Sequence, residues 1–289
     1  MKAFRAGRPV LLGFPQDEGV SRNGGRHGAR LAPAAIRRWL YRLVAADPES
    51  GVDLGGLGLI DLGDLIIDRE LEHSQGVLAG IVAELLDRRC VPIVLGGGHE
   101  TAFGTYLGYA AADLEVSVIN VDAHLDVRPL IEGQGHSGSP FRQMMEHGVL
   151  PLHGSRYVCL GAQPASTSRE HADYVRQRGG EIVWAKDARS CLEDHYVRAR
   201  ERVGLPVHVS LDADVVRAAD VPGVSAPNPV GLSGDEVAEW ARAVGADPGV
   251  SSFELVEINP ELDVDGRSAR WAAVVVWQFL AGLTRRNAE

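Results

Sequence analysis

The sequence predicts an α/β fold, a parallel sheet with helices on both faces, and three observations carry that prediction. Short β-rich apolar runs alternate with longer segments of helical period along the whole chain. The 289 residues are 45% hydrophobic, enough to bury a sizeable core. No low-complexity linker, charge block or fixed-period repeat interrupts them, so a single domain over 1–289 is expected.

The elements follow in order. A strand over 9–14 (PVLLGF) leads, past a long loop, to a helix over 33–46 that Pro33 opens. Strand 58–62 (GLIDL) precedes a helix over 68–89, and strand 91–95 (VPIVL) precedes one over 100–112. Strand 115–121 (EVSVINV) is followed by a second long loop and then by strand 156–161 (RYVCLG). Helix 168–178, strand 180–184 (GEIVW), helix 188–203 and strand 206–211 (PVHVSL) continue the alternation. Helix 233–246, strand 252–258 (SFELVEI) and helix 266–283 complete it, giving eight candidate strands. The two segments that break the pattern, 15–32 and 127–154, are long and glycine-rich, as functional loops in compact domains are.

Charge and cysteine usage exclude several function classes. With 29 basic against 39 acidic residues the net charge is −10, which repels phosphate backbones and anionic headgroups, so neither nucleic acid nor membrane is an expected partner. The N-terminal stretch lacks a signal-peptide apolar region, and no apolar run reaches the roughly 18 residues of a membrane span. A cytoplasmic protein is expected. Cys90, Cys159 and Cys191 are odd in number and widely spaced, which suits reduced, mostly buried thiols.

In an open parallel sheet, ligands bind beyond the carboxyl ends of the strands. Strand 91–95 ends in Gly96-Gly97-Gly98-His99-Glu100, where small residues leave room for an ion and a substrate. Strand 115–121 ends in NVDAHLDVR, and extended backbone there would project Asp122, His124 and Asp126 to one face. Strand 206–211 ends in SLDAD, with Asp212 and Asp214 two apart.

Taken singly, GGGH is a common tight turn and D-x-D a common helix cap. Three potential ligands on one strand face have no packing rationale, and the joint pattern on three strand ends points to one site. Several carboxylates sharing a desolvated rim require a counter-charge, which metal ions supply. Carboxylate and imidazole ligands without thiolate suit Mn²⁺, Mg²⁺ or Fe²⁺, with zinc still open. Six ligands exceed what one ion with an open position uses, so a carboxylate-bridged pair that lowers the pKa of a bound water is expected.

The order GGGHE, DAHLD, SLDAD and ELVEINP, spread over essentially the whole chain, resembles the ureohydrolase family of arginases, agmatinases and formimidoylglutamases. The resemblance implies a three-layer α/β/α fold with a mostly parallel eight-stranded sheet, and a binuclear manganese hydrolase of linear amidine C–N bonds. It implies that His99, Asp122, Asp126 and Asp212 bind one Mn²⁺, that Asp122, His124, Asp212 and Asp214 bind the other, and that Asp122 and Asp212 bridge. Glu257 in VEINP then receives the substrate's cationic nitrogen, His136 in GQGHSGSPF passes a proton to the departing nitrogen, and Asp214 holds the proton of the attacking water. Trimers or hexamers are expected by analogy.

Within the family, GGGHE, DEGVSRNGGRHGA over 17–29 and SGSPFRQ over 137–143 resemble formimidoylglutamase most closely, which implies N-formimino-L-glutamate as substrate and L-glutamate and formamide as products, a step of histidine degradation. A two-carboxylate substrate wants arginines, and Arg128 and Arg142 are the first candidates, with Arg22, Arg26 and Arg30 behind them. The alternatives are a guanidino hydrolase with the same metals, or a binding protein that kept the fold. Glu100 is expected either to hydrogen-bond a ligand imidazole or to cap the helix behind it. Residues 223–229 offer no charge to a substrate.

Overall fold

The computed structural model describes residues 4–67 and 70–287. Among them, eight strands form one parallel sheet: β1 (Pro9–Phe14), β2 (Ile60–Asp64), β3 (Val91–Gly96), β4 (Ser117–Val121), β5 (Tyr157–Ala162), β6 (Glu181–Trp184), β7 (Val207–Asp212) and β8 (Val250–Val256). Their spatial order is β2-β1-β3-β8-β7-β4-β5-β6. The mostly parallel sheet expected is parallel in every pairing. Every residue of β1, β3, β4, β5 and β7 is buried, whereas the edge strands β2 and β6 expose part of theirs.

Side chains alternate between two cores, and each core is closed by a helical layer. Leu11, Ile93, Ile119, Val158, Val209 and Phe253 pack with α2 (Ala32–Leu40), α8 (Leu192–Arg202), α9 (Gly234–Ala246) and α10 (Arg267–Leu283). Leu12, Val94, Val118 and Cys159 pack with α3 (Leu71–Asp87), α4 (Thr101–Ala111), α5 (Pro140–Met145) and α6 (Arg169–Gln177). That is the three-layer arrangement expected. No helix of the described residues is long and apolar enough to cross a membrane.

Element bounds differ where local chemistry intervenes. The helix expected over 33–46 stops at Leu40, because residues 45–54 fold back on themselves through Leu54 N to Ala45 O and Asp47 N to Val52 O, with Pro48 forcing extended backbone before it. The one expected over 188–203 is split at Ser190, whose φ is +63°, leaving α7 (Ala185–Ala188) and α8. The helix expected over 68–89 is α3, and its first two positions lie outside the described residues. Both long loops carry a helix unforeseen from periodicity, α1 (Glu18–Arg22) and α5. Cys90 and Cys159 are buried, but Cys191, at the start of α8, is exposed.

The strand order sets the place of the site. The four middle strands, β3, β8, β7 and β4, are the ones whose carboxyl ends carry His99, Glu257, Asp212 and Asp122. From β3 the chain crosses over to β4 and leaves a gap that β7 and β8 fill last, so the crevice opens at the sheet's switch point.

Candidate metal centre

Both aspartate-bearing strand ends use the same local device. Asp122 Oδ1 accepts the His124 backbone N–H at 2.7 Å, and Asp212 Oδ1 accepts that of Asp214 at 2.8 Å. Each turn leaves the other carboxylate oxygen of its first aspartate facing inward. The segment after β4 is bent rather than extended, and Asp126 adopts a left-handed φ of +46°. So the three residues of DAHLD do not share one strand face: Asp126 turns to one ligand group, His124 to another, and Asp122 serves both.

His99 Nδ1 lies 2.9 Å from Asp126, 3.2 Å from Asp212 and 3.3 Å from Asp122, an assembly buried throughout. His124 Nδ1 lies 3.2 Å from Asp214 and 3.5 Å from Asp122. Among the described residues these are the two groups able to hold an ion, and Asp212 enters only the first. Among the described residues, Asp122, Asp126, Asp212 and Asp214 form ion pairs with histidines alone. His99 Nδ1 and Asp214 Oδ1 are buried without a hydrogen-bond partner. Buried orphans facing several carboxylate oxygens fit a pair of divalent cations with oxygen and imidazole ligands.

The electrostatics of the centre agree. Burial works against a charged His99, but Asp122, Asp126 and Asp212 outweigh it and hold its pKa well above the ordinary range. Asp214, and then other contacts, raise His124 against its burial. Burial, then Asp214 and Asp122, push the Asp212 carboxyl well up. Burial lifts Asp214 to about 6, with His124 pulling back. Asp122, for all its burial, is lowered by His124 and His99. Crowded carboxylates of this kind favour added positive charge, which divalent cations would bring.

The glycine turn before His99 serves a different need from the one expected. A Cβ on Gly97 would lie 1.7 Å from the Gln16 carbonyl oxygen, and one on Gly98 would meet Glu100 and Val20. The space is taken by the 15–32 loop, which docks through Gly97 N to Phe14 O and Gly98 N to Gln16 O. Glu100 belongs to the same docking: fully buried, it accepts the Gly19 N–H at 2.8 Å, and it neither touches a ligand imidazole nor caps α4 with its side chain. Burial raises its pKa to about 8.

A cleft of about 270 Å³ opens onto the centre, lined by His124, Asp126, Asp212, Asp214 and Glu257 and, toward solvent, by Asn23, Arg26, Arg128, Ser137 and Ser225. A larger hollow of about 620 Å³ between α8 and α9 holds none of these groups. Glu257 has a left-handed φ of +66°, which ends β8 at Val256, two residues short of the expected end, and turns the carboxylate inward to accept the His99 N–H at 2.9 Å. Burial, then Asp212 and Glu100, push its pKa well up.

The remaining expected residues divide. Arg128 lines the cleft, its guanidinium held by Asn23 Oδ1 at 3.0 Å. Arg26 lines it too, bonded to the Val224 and Ser225 carbonyls, and Ser225 is the polar group that the uncharged 223–229 segment contributes. Arg142 points elsewhere, donating to Val127 O and lying 4.1 Å over the Tyr174 ring. Arg22 pairs with Glu18 and Glu72, and Arg30 with Asp17 and Glu261. His136 is buried outside the cleft lining: its Nδ1 accepts the Gly138 N–H, so Nε2 carries the proton and donates to Pro129 O at 3.0 Å. Burial lowers its pKa. Periodicity gave no sign of Phe141 of α5, whose ring meets that of His99 edge-on at 5.2 Å.

Comparison with known proteins gives concordant matches. The model of the arginase family matches residues 8–282. A formimidoylglutamase of Rhodococcus opacus (strain B4) is 35% identical over 283 residues, 92% of this chain and 83% of that protein. One of Geobacillus thermodenitrificans (strain NG80-2) is 36% identical over 283 residues, 96% of this chain and 84% of the relative. The crystal structure of Trypanosoma cruzi formiminoglutamase with a Mn²⁺ pair superposes with a TM-score of 0.92 at 37% identity, covering 96% of this chain and 94% of that one.

Proposed function

This chain belongs to the arginase family, and from that premise we propose that it is a metal-dependent hydrolase that cleaves N-formimino-L-glutamate to L-glutamate and formamide, with two Mn²⁺ per subunit. The observation that carries the reading is the pair of ligand groups sharing Asp122 at the floor of a cleft whose rim presents Arg128. The names of the relatives and the Mn²⁺ of the Trypanosoma structure support the same substrate and ion.

In this reading His99, Asp122, Asp126 and Asp212 would hold one ion and Asp122, His124 and Asp214 the other, with Asp212 also serving the second ion as the family pattern implies. Bound, the ions supply the positive charge that makes water nucleophilic near neutral pH and offsets charge developing on the substrate. The chain's own residues do the rest. Asp214, with an oxygen free of hydrogen bonds, takes the proton of the attacking water. Glu257 at the cleft wall accepts N–H from the amidinium and fixes the formimino carbon over the centre. Water oxygen adds to that carbon, its bond to the glutamate nitrogen breaks, and the nitrogen leaves with a proton. His136 relays that proton: its Nδ1 takes one up in place of the Gly138 N–H, and its Nε2 gives one up once it leaves Pro129 O. Arg128, braced by Asn23, holds a substrate carboxylate. Arg142 supports the loop that carries His136. A single domain over 1–289, a cytoplasmic location and a homotrimer or hexamer complete the proposal.

The test is turnover of N-formimino-L-glutamate, L-arginine, agmatine and 4-guanidinobutyrate by Mn²⁺-loaded protein, with Arg128→Ala beside it. Turnover confined to the formimino substrate and cut in the variant, chiefly through KM, supports the assignment. Turnover of a guanidine instead keeps the metal centre and overturns the substrate.

A further inference from the structure

The inner strands of a covered parallel sheet are ordinarily apolar on both faces. β7 and β8 depart from that rule. Val207, Val209, Leu211, Phe253 and Leu255 face one core, while His208 and Ser210 face the other way, paired in register with Ser252 and Glu254. All four polar residues are buried under α4, which adds Thr105 and Tyr109 to the strip.

The strip runs into the metal centre through one hydroxyl. Ser210 Oγ is 2.9 Å from His99 Nε2 and 2.7 Å from Glu254 Oε1. Glu254 is an acceptor on both oxygens: Thr105 donates to Oε2 at 2.8 Å, and His208 Nε2 stands 3.2 Å from Oε1. A hydroxyl has one proton to give. Ser210 therefore gives it to Glu254 and accepts the Nε2–H of His99. With the ring proton on Nε2, a neutral His99 presents a bare Nδ1, and that is the atom facing Asp122, Asp126 and Asp212.

We infer that Ser210 and Glu254 are positioning residues of the metal centre, which fix the tautomer in which His99 offers Nδ1 to an ion. The arrangement is the carboxylate–histidine–metal relay lengthened by a hydroxyl, and partners of this kind change metal affinity about 10- to 100-fold when removed. The inference rests on the metal assignment proposed above and is independent of the substrate.

Calorimetric titration of the metal-free protein with Mn²⁺ tests it. Wild type should take up two ions. Ser210→Ala, which deletes one buried oxygen, should weaken one ion about 10- to 100-fold and leave the other within about threefold. In the variant, the electron paramagnetic signature of a coupled Mn²⁺ pair should appear only at excess metal. Two ions bound by Ser210→Ala at wild-type affinity overturn the inference, whereas no ion bound by wild type overturns the metal assignment itself. Glu254→Gln should weaken the same ion, and unchanged affinity there removes Glu254 from the role. Should the alanine variant not fold, the ¹⁵N shifts of His99 in wild type loaded with diamagnetic Mg²⁺ decide. A protonated, slowly exchanging Nε2 supports the inference, and a bare Nε2 overturns it.

Discussion

Glu257 holds a backbone conformation that costs a non-glycine residue on the order of 1–3 kcal/mol, and it is buried beside other carboxylates that raise its pKa. Both costs are tolerated because the carboxylate must face the cleft from the end of β8. Glu257→Gln keeps the shape and removes the charge. A charge-assisted hydrogen bond is worth about 1.5–3 kcal/mol, so kcat/KM should fall roughly 10- to 150-fold, while the ion-free protein melts at an equal or higher temperature. A loss of stability with full turnover would mean that Glu257 is structural. The two groups able to hold an ion were legible because aspartate and histidine at the ends of three strands announce themselves by spacing. Arg142 misled because an arginine side chain has several rotatable bonds and its direction is settled by Tyr174 and Val127 O, which no spacing encodes. Ser210 and Glu254 went unread, though HVSLD and SFEL alternate polar and apolar where a central strand should not.

At the level of elements, the β3–α4 turn is a docking surface as much as a ligand carrier. Gly97→Ala would drive a methyl into the Gln16 carbonyl, and backbone cannot swing aside as a side chain can. Overpacking of this kind costs about 1–3 kcal/mol. The melting temperature should fall by several degrees and turnover more than in proportion, because α1, Asn23 and Arg128 all depend on the docked 15–32 loop. Unchanged melting and turnover would show that the loop docks elsewhere in solution. All eight strands were readable from their apolar runs. The helix ends were not, since Leu40 and Ser190 are set by tertiary hydrogen bonds and by one left-handed residue. The two short helices of the long loops lack the length for a period to show.

For the molecule as a whole, the ion-free centre makes stability depend on pH with a definite sign. Asp212, Asp214 and Glu257 have folded pKa values above their unfolded ones, as do His99 and His124. Between about pH 4 and 8 the folded chain binds more protons than the unfolded one, so stability without metal falls as pH rises. Asp122 is shifted the other way, and its contribution is lost only in acid below about pH 4. Mn²⁺ replaces the protons and binds better as pH rises. The gap in melting temperature between Mn²⁺-loaded and chelated protein should therefore widen from about pH 5.5 to about pH 8. A gap that narrows would place the ions elsewhere. The layer order was readable because alternation of strand and helix leaves few topologies. The position of β7 and β8 within the sheet was not, since crossover lengths do not say which gap a strand enters.

That position bears on how the chain is made. Ribosomal synthesis releases β1 to β3 and β4 to β6 first, as two blocks whose inner strands, β3 and β4, lack a second neighbour until the last third of the chain emerges. An incomplete chain has His99 on one block and Asp122, His124 and Asp126 on the other, with Asp212 and Asp214 still to come. Both ligand groups are thereby complete only once β7 has joined the two blocks. A nascent chain exposes both bare strand edges from the emergence of β4 until β7 arrives, which makes that interval the one in which it is most prone to aggregate and most in need of a chaperone.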